Sequence, residues 1–408
     1  MLKGKTLENF CLLTLKIGVN LQKGQGLEII CPVEKSHVAV ALTKTAYKLG
    51  AKKVNVRWEC EKVDKLTYRH ASTQTLCEIP KWVIDSKNYL VKENYCYVAI
   101  SAENPTAFKD IPAEKLSKVA KVKSTLLKSF SEAVMSNTIR WCVVSIPTKE
   151  WAKAVFTGAK NPLNELSKAI EIAMRLDKDD PVLEWNNHVE TLEKRAKYLN
   201  EKRFDYLHFY SINGTNLKIN LAKNHQWLSA REKGKDGNYF IANMPTEEVF
   251  TAPHKNGVNG IVKSAMPLCY GGNLVEDFSI TFKDGKVVDF TAKKGYDILK
   301  GIIETDSGTK RLGEVALIGK NSPIAKQNIL FFNTLFDENA SCHLAFGKAY
   351  PTTVINGENL SKKELSALGV NDSVEHVDFM IGTEDLRVLG GYDSGEEIAI
   401  MKDGDFVI

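Results

Sequence analysis

Residues 27–58, LEIICPVEKSHVAVALTKTAYKLGAKKVNVRW, decide how the first part of the chain folds. Leu27-Glu28-Ile29-Ile30-Cys31 is a short apolar run that follows a Lys23-Gly24-Gln25-Gly26 turn. Residues 35–49 predict a helix ended by Gly50, and Val54-Asn55-Val56-Arg57-Trp58 predicts the next strand. Working outward, Tyr95 to Ile100 and Thr138 to Val144 predict two further strands with a Lys-rich helix between them. Strand, helix and strand in repetition imply an α/β N-terminal domain with a largely parallel sheet.

The pattern then changes. Asn164 to Leu176 and Val182 to Arg203 predict helices, with Pro181 opening the second after an Asp-rich turn. From Tyr206 onward the pieces are hairpin-like. Leu217-Lys218-Ile219-Asn220-Leu221 follows Asn213-Gly214, and Phe278 to Phe282 turns at Asp284-Gly285 into Lys286 to Phe290. These segments predict a first domain over 1–203, including a helical connector, and an α+β C-terminal catalytic domain over 204–408 rich in antiparallel strands.

Composition narrows the function classes. Of 408 residues, 43% are hydrophobic and 26% charged, which fits a folded globular chain rather than a disordered one. The formal charge of +5 is spread over scattered lysines, without the dense basic stripe of a nucleic-acid binder. Leu7, Phe10, Leu13 and Ile17 recur at helical spacing among charges, which predicts an amphipathic helix rather than a signal peptide. No uninterrupted apolar run reaches the ~18 residues of a membrane span. The eight cysteines are dispersed without a CxxC pair, which predicts reduced thiols in the cytoplasm and no thiolate zinc site.

The chemistry-bearing segments lie in the second half. In Glu375-His376-Val377-Asp378-Phe379-Met380-Ile381, strand alternation puts Val377, Phe379 and Ile381 on one face and His376 and Asp378 on the other. An imidazole and a carboxylate side by side suit one metal centre, while the spacing by itself favours an exposed edge carrying two polar residues. Glu338 and His343, in FFNTLFDENASCHLAFG, are five apart and need a bend at Asn339-Ala340-Ser341 to meet. Glu314 interrupts the apolar run LGEVALI, where a charge is costly unless paired, metal-bound or in reach of water. Glu247 and Glu248, in NMPTEEVFTAP, point opposite ways if extended, so at most one enters a shared site. Together these segments offer carboxylates and imidazoles without thiolates, the ligand set of Zn²⁺, Co²⁺ or Mn²⁺.

The strings NMPTEEVFTAP with a following VNG, LGEVALI, NTLFDENASCHLAFGKAYP and HVDFMIGTEDL resemble signature blocks of the aminopeptidase T/aminopeptidase S family of metallopeptidases. GVNLQKGQGLEI, Pro147-Thr148 with Trp151-Ala152, and Asn213 to Leu217 resemble that family in the same order, so the likeness spans nearly the whole chain. It implies two divalent ions per subunit held by Glu248, Glu314, Glu338, His343, His376 and Asp378, with Glu247 competing with Glu248. It also implies a catalytic role for Tyr350, a homodimer, and peptide substrates with a free N-terminus, and a carboxylate beside the water, Glu248 or Glu247, is expected to carry a proton to the leaving amine. Water activated by the two ions would release the N-terminal residue. His254 is expected near the rim of the site and not among the ligands.

Two other readings stand beside this one. A metal-dependent amidase or deacylase would use the same ligands. A non-catalytic nucleotide-binding protein would rest on Gly24-x-Gly26 alone, well short of a phosphate-binding loop. A serine hydrolase is not supported, because the GxSxG elbow is missing.

Overall fold

The structure is a computed structural model, and it describes residues 2–102, 104, 107–108 and 110–408. The chain forms two compact units, Met1–Asn187 with Arg231–Pro245 and His188–Ala230 with Thr246–Ile408. The division runs inside the long helix Pro181–Lys202 and not at 203/204. Residues 231–245 return to the first unit because strand Asn243–Met244 pairs in parallel with Trp141–Ser145.

The first unit is built on a five-stranded sheet in the order Lys53–Glu59, Gly26–Pro32, Cys96–Ser101, Trp141–Ser145, Asn243–Met244. Each neighbouring pair is parallel, as the strand–helix alternation predicts. The helix of the opening stretch spans Ser36–Lys48 and buries Val38, Ala39, Leu42 and Ala46. Gly50, at φ +92°, takes the left-handed conformation that ends it cheaply. Gly26 has a packing reason: a Cβ there would sit 2.5 Å from the Tyr95 ring. Arg140, 1% exposed, anchors the unit. It donates to the Val19 carbonyl (2.6 Å), to the Asn20 carbonyl, to Gln25 Oε1 (2.6 Å) and to Asp236 (3.0 Å).

The second unit carries two larger sheets. One has nine strands and contains the predicted hairpin Asn273–Lys283/Lys286–Lys294. Asp284 and Gly285 both have positive φ (48° and 77°), the conformation a two-residue hairpin turn requires. The other sheet has four antiparallel strands in the order Val249–Thr251, Leu312–Leu317, His343–Gly347, His376–Met380. Among the described residues no helix is long and apolar enough to cross a membrane.

Candidate metal centre

The four-stranded sheet separates its faces by residue type. Val315, Leu317, Leu344, Phe346, Val377 and Phe379 alternate onto one face and are buried there. The other face carries Glu314, His343, His376 and Asp378. Registry brings them together: Ala316 lies opposite His343, Glu314 and Asp378 lie on either side of Ala345, and His376 lies opposite Gly347. Ala316, Ala345 and Gly347 are small, so the longer polar side chains have room to converge above them. Gly347 adopts φ +94°, and a Cβ there would lie 2.2 Å from the Glu375 carbonyl oxygen.

Two more carboxylates come from turns that flank the sheet. Glu248 immediately precedes strand Val249–Thr251. Glu338 opens the 3-10 turn Glu338–Ala340, after which Ser341 is extended and the strand begins at His343. This is the bend that the five-residue spacing demands.

The resulting contacts are close. His343 Nε2 lies 3.2 Å from Glu248 Oε2 and 3.3 Å from Glu314 Oε1. His376 Nε2 lies 3.1 Å from Asp378 Oδ1 and 3.9 Å from Glu314 Oε2. The other nitrogen of His376, Nδ1, donates to the Lys348 carbonyl at 2.7 Å, which fixes Nε2 as the atom facing the cluster. Two triads have donor atoms within 4.8 Å of one another, Glu248/Glu314/His343 and Glu314/His376/Asp378, and Glu314 belongs to both.

The cluster is electrostatically unfinished. Removal from water, then the neighbouring Asp378, Glu248 and Glu314, push the Glu338 carboxyl well above the usual range, and burial raises Glu314 as well. Burial opposes charge on His343, but bonding to Glu248 and Glu314 outweighs it and raises the imidazole. His376 is raised to about 10, because Asp378 and Glu314 outweigh its burial. Four carboxylates face two imidazoles, so with every acid ionised even two protonated rings would leave an excess of negative charge. Glu248 Oε2 is buried and has no aligned hydrogen-bond partner, although His343 Nε2 is 3.2 Å away. Nitrogen and oxygen donors gathered within 4.8 Å of one another, with more carboxylates than imidazoles, fit divalent cations.

Tyr350 borders the cluster. Its ring lies 5.0 Å from that of His376 and 6.3 Å from that of Phe250. Burial, then the four nearby carboxylates, raise its hydroxyl well above 10, so it remains a donor. Glu247 turns elsewhere: its Oε2 lies 3.6 Å from His188 Nε2, which also bonds the Thr246 carbonyl at 2.8 Å. Of the acidic pair, Glu248 is therefore the member whose side chain joins the cluster. The His254 ring packs against Gly369, apart from both triads.

A family model described as "Thermophilic metalloprotease (M29)" matches residues 3–406. The chain belongs to this family. The M29 relatives include Aminopeptidase 2 of Geobacillus stearothermophilus, 40% identical over 404 residues and 98% of each chain. Aminopeptidase T of Thermus thermophilus is 36% identical over 409 residues and 99% of each. The solved structure titled "Wild-type AmpT from Thermus thermophilus" superposes with a TM-score of 0.93 at 35% identity, covering 99% of both chains. The M29 chain described here is thus a metal-dependent peptide hydrolase, and the aminopeptidase reading fits its relatives. The amidase and nucleotide-binding alternatives are not favoured.

Some of the groups that support this M29 site carry no sequence signal. His188 sits in a long helix with nothing in its neighbours to mark it. Asn339 reads as part of a bend, yet it is buried and its side-chain oxygen accepts the Glu247 N–H at 2.8 Å. Asp337 forms an apparent acidic pair with Glu338, but its carboxylate turns back to the Phe331 and Asn333 amides at 2.6 and 2.9 Å.

Proposed function

We propose that this metallopeptidase is a cytoplasmic, homodimeric aminopeptidase acting on peptides with a free N-terminus. Its two divalent ions, zinc, cobalt or manganese, are assigned to Glu248, Glu314, Glu338, His343, His376 and Asp378. The observation that carries this reading is the membership of Glu314 in both triads, the pattern expected of a carboxylate shared by two ions. Such ions, when bound, supply Lewis acidity toward the scissile carbonyl and toward water.

The chain's own residues are assigned the remaining work. Tyr350, held protonated, donates from its hydroxyl to the oxygen on which charge develops. Glu248, beside its place among the ligands, is assigned the transfer of the attacking water's proton to the leaving amine. The Lys348 carbonyl keeps the His376 ring in one orientation. All eight cysteines are free, which supports a reducing compartment.

The test is to chelate the purified protein, restore Zn²⁺, Co²⁺ or Mn²⁺ separately, and follow amino-acid release from peptides and from their N-acetylated forms. Metal-dependent release from unblocked peptides alone is expected. Equal cleavage of acetylated peptides would return the amidase reading, and no metal-dependent release at all would sink the proposal. His376→Ala is expected to abolish the activity and leave the folded dimer, measured by size-exclusion chromatography, intact.

A further inference from the structure

Two of the assigned ligands, Glu248 and Glu338, lie on turns rather than on strands. Glu314, His343, His376 and Asp378 have their spacing fixed by sheet registry. The two turns have no such rule, and they are 90 residues apart in the chain.

One buried side chain connects them. Asn339 is 0% exposed. Its Oδ1 accepts the backbone N–H of Glu247, the residue before Glu248, at 2.8 Å. Its Nδ2 donates to the Leu335 carbonyl at 3.0 Å and reaches to within 3.5 Å of Glu338 Oε1. The amide therefore grips the turn that carries Glu338 with one end and the segment that carries Glu248 with the other. An aspartate offers no nitrogen donor at this position, and an apolar residue removes the side-chain acceptor of the Glu247 N–H.

We propose that Asn339 is a positioning residue that sets the distance between Glu248 and Glu338 and so shapes the metal centre. This rests on the assignment of those two glutamates as ligands. Supporting groups of this kind typically change metal affinity by roughly 10- to 100-fold when removed.

The experiment titrates wild-type protein and Asn339→Ala with Co²⁺ after chelation. It reads the dissociation constant and the visible absorption of the bound ion. A weakening of roughly 10- to 100-fold, with an altered cobalt spectrum, is expected. In the background of Glu248→Gln the same substitution is expected to cost much less, because one end of the fixed spacing is already gone. If the alanine protein does not fold, Asn339→Ser, which leaves a hydroxyl for the Glu247 N–H, takes its place with the same readouts and the same direction expected.

A lowered melting temperature with unchanged affinity and spectrum would overturn the proposal and leave Asn339 a purely structural residue. Full additivity with Glu248→Gln would overturn it too. The failures are separable. Wild-type protein that takes up no Co²⁺ contradicts the metal centre itself, whereas normal uptake by both proteins contradicts only the role of Asn339.

Discussion

Arg140 in the first unit and Glu314 in the second are both buried charges, and the fold treats them in opposite ways. Arg140 spends its donors on two carbonyls, an amide oxygen and a carboxylate, and its network closes. Glu314 sits in a cluster with three other acids and two imidazoles, and nearby Glu248 Oε2 has no aligned partner. A closed network holds a fold together. An open one, kept in place by a rigid sheet, holds something else.

The contrast breaks most visibly at Arg140. Arg140→Ala leaves the Val19 and Asn20 carbonyls, Gln25 and Asp236 short of their donor, and a cost of about 3–5 kcal/mol is expected. Denaturant unfolding followed by tryptophan fluorescence measures it. Metal affinity of the second unit is expected to stay within error of wild type at temperatures where the variant is folded. A parallel loss of affinity would show that the two networks are not independent.

Asn371 tests a closed network inside the second unit. It is buried, and its Nδ2 donates to the Gly308 and Gly347 carbonyls at 2.9 and 2.6 Å. Asn371→Ala frees both acceptors, and a loss of about 1–3 kcal/mol in thermal or urea unfolding is expected.

Glu338 gives the opposite sign. Burial, then the neighbouring Asp378, Glu248 and Glu314, disfavour its charge, so the amide of Glu338→Gln relieves that cost in the chelated protein. A gain of about 1–2 kcal/mol in the metal-free state is expected, together with weaker metal binding and lost activity. Calorimetry with and without metal measures both. A variant less stable than wild type without metal would show that the cluster is closed after all.

The same contrast decides what could be read from the sequence. The parallel sheet was legible because buried strands and amphipathic helices alternate in period, and the hairpin because Asp284-Gly285 meets one turn type. His376 and Asp378 were legible because a strand alternates strictly. Glu248 against Glu247 was not, since both precede the strand and only tertiary partners, His188 for one and His343 for the other, separate them. Residues 231–245 read as part of the second domain, because a two-residue strand such as Asn243–Met244 is too short to leave a periodic signal. Asn339 and Asp337 differ from ordinary turn residues only in what they touch.

Lys87 extends the comparison to a charge in the first unit that is less fully answered. It is 6% exposed, and its ammonium lies 4.8 Å from the Tyr97 ring centroid and 4.6 Å from that of Phe130. Burial, then Arg57, lower it to about 8 against an ordinary 10.5. Between these values the unfolded chain binds more protons than the folded one, so stability rises with pH across the window. The cost is absent above 10.5 and complete below 8. The two rings favour the charged form and offset part of the desolvation that disfavours it. Lys87→Met is expected to flatten the difference between unfolding free energies measured at pH 7.5 and pH 10, relative to wild type. An unchanged slope would show that Lys87, like Arg140, is fully answered by its surroundings, and the open cluster around Glu314 would then stand alone in this comparison.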